Sequence, residues 1–133
     1  MAGMPLPVPD EGSAPFWEYC RAGELRLQRC GQCGVFRHPP RPMCRQCGSM
    51  ESEWAAVSGR GTVYSYAVTH QPVHPAFVDL VPHAAVLIEL EEGVRMTSNV
   101  VDCAPDEIEI GMAVEVAFEQ VTDEITLPKF RRA

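Results

Sequence analysis

Basic side chains are nearly missing from one long stretch of this 133-residue chain: residues 57–128 hold only Arg60 and Arg95 against twelve carboxylates, a net charge of −10. Affinity for a phosphate backbone comes chiefly from Lys and Arg displacing counterions, so this stretch is a poor candidate for sequence-independent nucleic-acid binding. Long apolar runs are absent too. None approaches the roughly 18 residues of a membrane-spanning helix, and residues 1–9 have neither a basic nor an apolar leader region. The expectation is a soluble, cytoplasmic protein without membrane association. The six cysteines fall well short of the roughly 8–10% that marks a disulfide-stapled secreted scaffold. Missing as well are a nucleophile with its base and carboxylates paired in a defined geometry; His38, His70, His74 and His83 are scattered, with no pair of them on an expected helix. The length excludes a large two-domain enzyme, and no residue pattern makes the chain a catalyst by itself.

Hydrophobic residues at 46% and charged residues at 22% place the chain among those that fold. Its charge is uneven: residues 1–56 balance six arginines with six carboxylates, and the last five residues add +3 through Lys129, Arg131 and Arg132. The strongest motif is Cys30-Gly31-Gln32-Cys33 followed ten residues later by Cys44-Arg45-Gln46-Cys47. Two such knuckles place four thiolates at the corners of a tetrahedron, and Gly34 and Gly48 after them suit the positive φ that turns backbone N–H groups towards the sulfurs. Two disulfides or four free thiols are the alternative reading. Zinc is the expected metal, with iron as the rival because a four-sulfur site suits either. With every position filled by protein the role is structural, and Arg37-His38-Pro39-Pro40-Arg41-Pro42 serves as a stiff return between the knuckles. Cys20 and Cys103 read as small buried hydrophobes.

Ahead of the knuckles, Ser13 is a candidate N-cap with Pro15 in the first turn, and a two-turn helix runs through Phe16 and Trp17 to Gly23 as the C′ residue. From Gly59 the pattern changes to period two. Tyr64, Tyr66 and Val68 share one strand face and Val63, Ser65 and Ala67 the other, which makes the tyrosines core residues. Further strands are expected over Ala84–Leu90, Val94–Val101, Ala113–Val121 and Ile125–Phe130, with Val114, Val116 and Phe118 facing one way. Residues 102–111 leave room for about one helical turn. The fold class is therefore mostly β: a short N-terminal helix and arm over 1–24, a rubredoxin-like zinc ribbon over 25–56, and a small OB-fold-like five-stranded barrel over 57–133. A long loop between the first two barrel strands, from Gln71 to His83, carries Val73, Phe77, Val78, Leu80 and Val81, more apolar surface than an uncovered loop tolerates.

Taken in order, Phe16-Trp17-Glu18, the Leu25-to-Cys30 lead-in, the two C-x-x-C-G knuckles around Pro39-Pro40-Arg41-Pro42, Gly59-Arg60-Gly61-Thr62-Val63-Tyr64-Ser65, His74-Pro75-Ala76-Phe77 and Leu127-Pro128-Lys129-Phe130 resemble one family. It is the zinc-ribbon plus OB-fold family long catalogued as a domain of unknown function. The resemblance implies a non-catalytic accessory subunit that docks on a thiolase-fold, lipid-transfer-protein-like enzyme acting on acyl-CoA, including aldolases of steroid side-chain breakdown. On that reading Phe16, Trp17, Val73, Phe77, Val78 and Leu80 form the docking surface. Contacts to coenzyme A phosphates fall to Arg37, Arg41, Lys129, Arg131 and Arg132. The competing reading is a single-stranded nucleic-acid-binding OB module that stacks bases on Tyr64 and Tyr66.

Overall fold

The computed structural model describes residues 6–72, 75, 78–79 and 81–133. Helix α1 (Ala14–Arg21) opens on a reciprocal pair rather than the expected cap. The Ser13 N–H donates to Asp10 Oδ1 at 2.7 Å and the Asp10 N–H to Ser13 Oγ at 3.0 Å, so Ser13 folds back onto the preceding turn and leaves the helix N–H groups alone. The far end closes as expected. The Gly23 N–H bonds the Cys20 carbonyl and the Glu24 N–H reaches the Tyr19 carbonyl, the doubled bond of a helix ended by a left-handed glycine.

Two antiparallel sheets follow. The first has the order β2-β1-β3, from β1 (Arg26–Cys30), β2 (Phe36–Arg37) and β3 (Ser52–Ala56), and carries the knuckles at its end. The second has the order β6-β5-β4-β7-β8, from β4 (Arg60–Thr69), β5 (His83–Leu90), β6 (Arg95–Ser98), β7 (Ala113–Gln120) and β8 (Thr126–Arg132). The strand expected over Val94–Val101 ends at Ser98 because the chain there changes partners. Asn99 Nδ2 donates to the Ala84 carbonyl at 2.7 Å, and Val100 then bridges Phe130 in parallel, with the Phe130 N–H on the Asn99 carbonyl and the Val101 N–H on the Phe130 carbonyl. This contact brings the chain just after the third barrel strand against the fifth, as in an OB fold, and covers part of the sheet's edge. The link from 102 to 111 holds a single 3-10 turn, Pro105–Glu107, in place of a long helix.

One expectation fails at β4. The register against β5 runs Val63↔Ile88 and then Ser65↔Leu87, so Tyr64 is an extra, bulged residue. Val63 stays buried at 1% exposure, whereas Tyr64 and Tyr66 are 45% and 39% exposed. The tyrosines belong to the surface, not the core.

Alternation in β5 buries Ala84, Val86, Ile88 and Leu90. They share one continuous core with Phe16 and Cys20 of α1, Leu25 and Leu27 of the ribbon, Val63, Val114 and Phe130. The ribbon therefore leans on the barrel for the apolar burial that some thirty residues do not supply alone. Among the described residues no helix is long and apolar enough to cross a membrane.

Candidate functional site

The four knuckle cysteines converge as their spacing predicts. Each offers one Sγ, and the four atoms lie within 4.8 Å of one another, with Cys30 to Cys47 at 3.5 Å and Cys33 to Cys44 at 3.6 Å. A tetrahedral site with metal–sulfur bonds of about 2.3 Å has edges of about 3.8 Å, so the donor set fits a zinc-sized ion. Each knuckle is built alike. The Gly34 N–H bonds the Cys30 carbonyl and the Gly48 N–H the Cys44 carbonyl, with φ at 77° and 76°, values that only glycine takes without strain. The tight turns aim amides at sulfur. The N–H groups of Cys33 and Gln32 hold the Cys30 thiol down to about 6, and those of Cys47 and Gln46 lower Cys44. The thiolate, the form that ligates metal, is thereby favoured at the two buried corners. All four corners are protein sulfur, which leaves no position for a water or substrate on an ion held by all four.

The return between the knuckles owes its shape to a residue the sequence did not single out. Gln28 Oε1 in β1 accepts from Arg37 Nε and from the Arg41 N–H, both at 2.7 Å, and Arg37 Nη2 donates to the Arg41 carbonyl at 2.7 Å. A strand glutamine carries no motif, so only the register that sets Gln28 opposite Arg37 reveals it.

The cations named for coenzyme contact separate into two groups. Lys129 pairs with Glu119 at 2.9 Å, Arg131 with its cross-strand neighbour Glu115 at 2.9 Å, and Arg132 with Glu107 at 3.7 Å. Arg37 and Arg41 instead line a cleft between ribbon and barrel. Of the expected docking residues, Phe16 is 3% exposed and lies in the core, where the helix turns it inward. Its ring supports the arm from below. Trp17, edge-on to it at 5.0 Å, is half-buried and borders a cavity of about 280 Å³ with Met96 and Pro128. Val78 is 56% exposed, while Val73, Phe77 and Leu80 lie outside the described residues. Cys20 is 1% exposed and its thiol is pushed up to about 12 by burial, so it is not a reactive thiol, and Cys103 packs half-buried against the core. The exposed face of Tyr64 is covered by Arg95, whose guanidinium carbon stands 3.7 Å from the ring centroid.

Residues 17–51 match the family described as the rubredoxin-like zinc ribbon domain of ChsH2, and residues 54–119 the one described as the C-terminal OB-fold domain of ChsH2. A DUF35 domain-containing scaffold protein of Methanothermobacter thermautotrophicus is 43% identical over 103 residues, which is 75% of each chain. The chain belongs to the DUF35 family. A solved structure described as an Ltp2-ChsH2(DUF35) aldolase contains a chain 42% identical, with a TM-score of 0.85 across 96% of this chain and 98% of that one. A DUF35 structure from Sulfolobus solfataricus, 12% identical with a TM-score of 0.63, shares the fold. Two longer relatives are similar over part of their length. They are a probable enoyl-CoA hydratase alpha subunit of Thermomonospora curvata, 43% identical over 97% of this chain, and the 3-oxo-4,17-pregnadiene-20-carboxyl-CoA hydratase alpha subunit of Mycobacterium tuberculosis, 38% identical over 92% of it. The chain spans 40% and 42% of their lengths.

Proposed function

We propose that this DUF35 chain is a non-catalytic accessory subunit that docks on a thiolase-fold enzyme acting on acyl-CoA, an aldolase of sterol side-chain degradation being the specific case. The observation that carries this reading is the end-to-end similarity, 42% identical over 98% of the other chain, to the DUF35 component of an Ltp2-ChsH2 aldolase. The chemistry of the chain agrees with it. Its metal site is closed, its buried thiol is inert, and the residues that remain open are surface aromatics and apolar loop side chains. The knuckles hold one zinc, favoured over iron because nothing else in the chain suggests a redox partner. Trp17 and the loop that includes Val78 form the docking face, with Val73, Phe77 and Leu80 assigned to it by sequence, and Phe16 packs against Trp17 as its support. Boundaries at 24/25 and 56/57 divide arm, ribbon and barrel.

Co-purification from the native host tests the reading. A thiolase-fold enzyme recovered in stoichiometric amount, whose acyl-CoA cleavage falls when this chain is withdrawn, is the expected result. Recovery of nucleic acid with no enzyme would sink it in favour of the single-stranded nucleic-acid reading, which the Arg95 cover on Tyr64 and the −10 of residues 57–128 disfavour.

A further inference from the structure

A cleft of about 450 Å³, within the range of small-molecule sites, opens where the ribbon meets the turn into β6. Four guanidiniums line it, Arg37, Arg41 and Arg45 from the ribbon and Arg95 from the barrel, and no carboxylate does. In a chain of net charge −7 with eleven cations, that convergence is a concentration of like charge. Its donors are not used up. Arg95 is tied through Nε to Glu89 at 3.0 Å, but Arg41 and Arg45 have no side-chain hydrogen bond or ion pair among the described residues. Arg37 commits Nε and Nη2 to Gln28 and the Arg41 carbonyl and keeps Nη1 buried with no acceptor. A buried charged donor left unmade is costly, so an acceptor is expected there.

The neighbouring metal site is the first candidate for that counter-charge, since four thiolates on a divalent ion carry −2. Yet no guanidinium donates to a sulfur among the described residues; backbone amides take that role. The diffuse charge leaves the directional donors unsatisfied. What the forks match is an oxyanion that accepts several N–H bonds at once, as a phosphate does. The walls add a second requirement, because Val35 and Met43 present 38% and 54% of their surface beside the cations. A ligand that covers them has an organic body as well as a charged head.

We propose that the ribbon–barrel cleft is a binding site for a phosphate group carried on a small organic molecule, held by Arg37, Arg41, Arg45 and Arg95. Arg37 and Arg41 are two of the cations that the family resemblance assigns to coenzyme A phosphates; the cleft adds Arg45 and Arg95 to them and is complete within this chain, so the isolated chain is the right material for its test. Calorimetric titration with ADP and with inorganic pyrophosphate, on zinc-loaded protein, separates recognition of the phosphate from recognition of the body. The expected result is saturable one-to-one binding, with ADP tighter than pyrophosphate. Arg41→Ala/Arg45→Ala weakens ADP about tenfold or more, and Arg131→Ala/Arg132→Ala leaves it unchanged. If the ribbon pair loses zinc, Arg95→Gln on the barrel side carries the same expectation. No binding at about 1 mM ADP, far above the affinity of a built site, overturns the proposal. Equal losses from the cleft and tail variants overturn it as diffuse electrostatics, and displacement of ADP by a short oligothymidylate in proportion to its phosphates overturns it as a nucleic-acid groove. ADP and pyrophosphate binding equally well would remove the organic body from the ligand class.

Discussion

The imidazole of His38 lies against the phenyl ring of Phe16, centroids 5.1 Å apart and planes at 41°. Burial holds its pKa below the ordinary 6.5, and Nδ1 has no hydrogen-bond partner. The sign of the consequence follows. Near and below pH 6.5 the unfolded chain takes up a proton that the folded one resists, so the neutral ring's contribution is complete above 6.5 and is lost progressively as pH falls from that value through the lower pKa of the folded state. Thermal unfolding of zinc-loaded protein at pH 7, 6 and 5 is expected to show a steeper loss for the wild type than for His38→Gln. Acid also strips metal from thiolates, but both proteins share that slope. Parallel slopes would place the acid sensitivity elsewhere.

Metal removal tests the knuckles. Cys44→Ser takes away one of the two buried corners, and the expected outcome is loss of the bound zinc with a fall in Tm on the order of 10 °C or more, since structural metal binding is folding free energy. Cys103→Ser, outside the cluster, keeps both. Elemental analysis beside each melting curve decides it. A Cys44→Ser protein with a full equivalent of zinc would mean that the four-sulfur assignment is wrong.

The knuckles were legible because a metal writes its geometry into spacing: C-x2-C with glycine after it encodes the turn that points the sulfurs. Alternation likewise predicted β5, whose buried residues recur every second position, and β7, where Val114 is buried and Val116 and Phe118 pack partly buried against the core. It misread Tyr64, because Val63 is the residue of β4 that turns inward and the bulge that follows it leaves no compositional mark. Phe16 and Trp17 posed a different problem. Adjacent residues on a two-turn helix point about 100° apart, and which of them faces inward depends on β1 and on β8, which packs against α1 from the far end of the chain. The Glu115 to Arg131 pair is a register fact, invisible until β7 and β8 are aligned. Long-range pairing, then, is what the sequence withheld, and it decides which cations are free.

Gly61 lies where the β5 backbone leaves no room for a side chain on β4. A Cβ built on it would run into the Glu89 carbonyl oxygen and crowd Leu90 Cα at 3.1 Å, and both are backbone atoms that have no rotamer to yield. Gly61→Ala is expected to cost about 1–3 kcal/mol, the range of an overpacked core, in denaturant unfolding. The ribbon's metal should stay bound. A change within 0.5 kcal/mol, the scale of an ordinary surface substitution, would show that the strands separate freely at that corner.

Gln28 gives the second register-dependent prediction. Gln28→Leu removes the acceptor shared by Arg37 Nε and the Arg41 N–H, leaving the backbone donor to find water and Arg37 Nε with only its longer bond to the Arg41 carbonyl at 3.1 Å. The expected loss is about 1–3 kcal/mol. Gln28→Glu should retain most of the stability, because the acceptor oxygen remains and the charge is opposite to that of Arg37. If both variants unfold at the wild-type midpoint, the Pro-rich return is stiff enough to hold itself.

Phe16 and Trp17 separate support from docking. Phe16 is buried among Leu27, Phe130 and the rest of the shared core, so Phe16→Ala opens a cavity and should cost about 3–5 kcal/mol whether or not a partner is present. Trp17 stands at the rim, half-covered, above the cavity that Met96 and Pro128 border. Its indole has apolar area left to bury, and large aromatics at a rim with a pocket beneath are what interface anchors are made of. Trp17→Ala is therefore expected to leave zinc content intact and Tm within a few degrees, while weakening association with the thiolase-fold partner about tenfold or more. Measured together, the two variants move different observables: Phe16→Ala shifts the melting curve, and Trp17→Ala shifts the fraction retained with the partner at fixed concentration. Should Trp17→Ala co-purify as the wild type does, the docking face lies on the β4 surface with Tyr66, or on the loop around Val78 alone. Should it melt as early as Phe16→Ala, the indole belongs to the core and the arm offers a partner nothing.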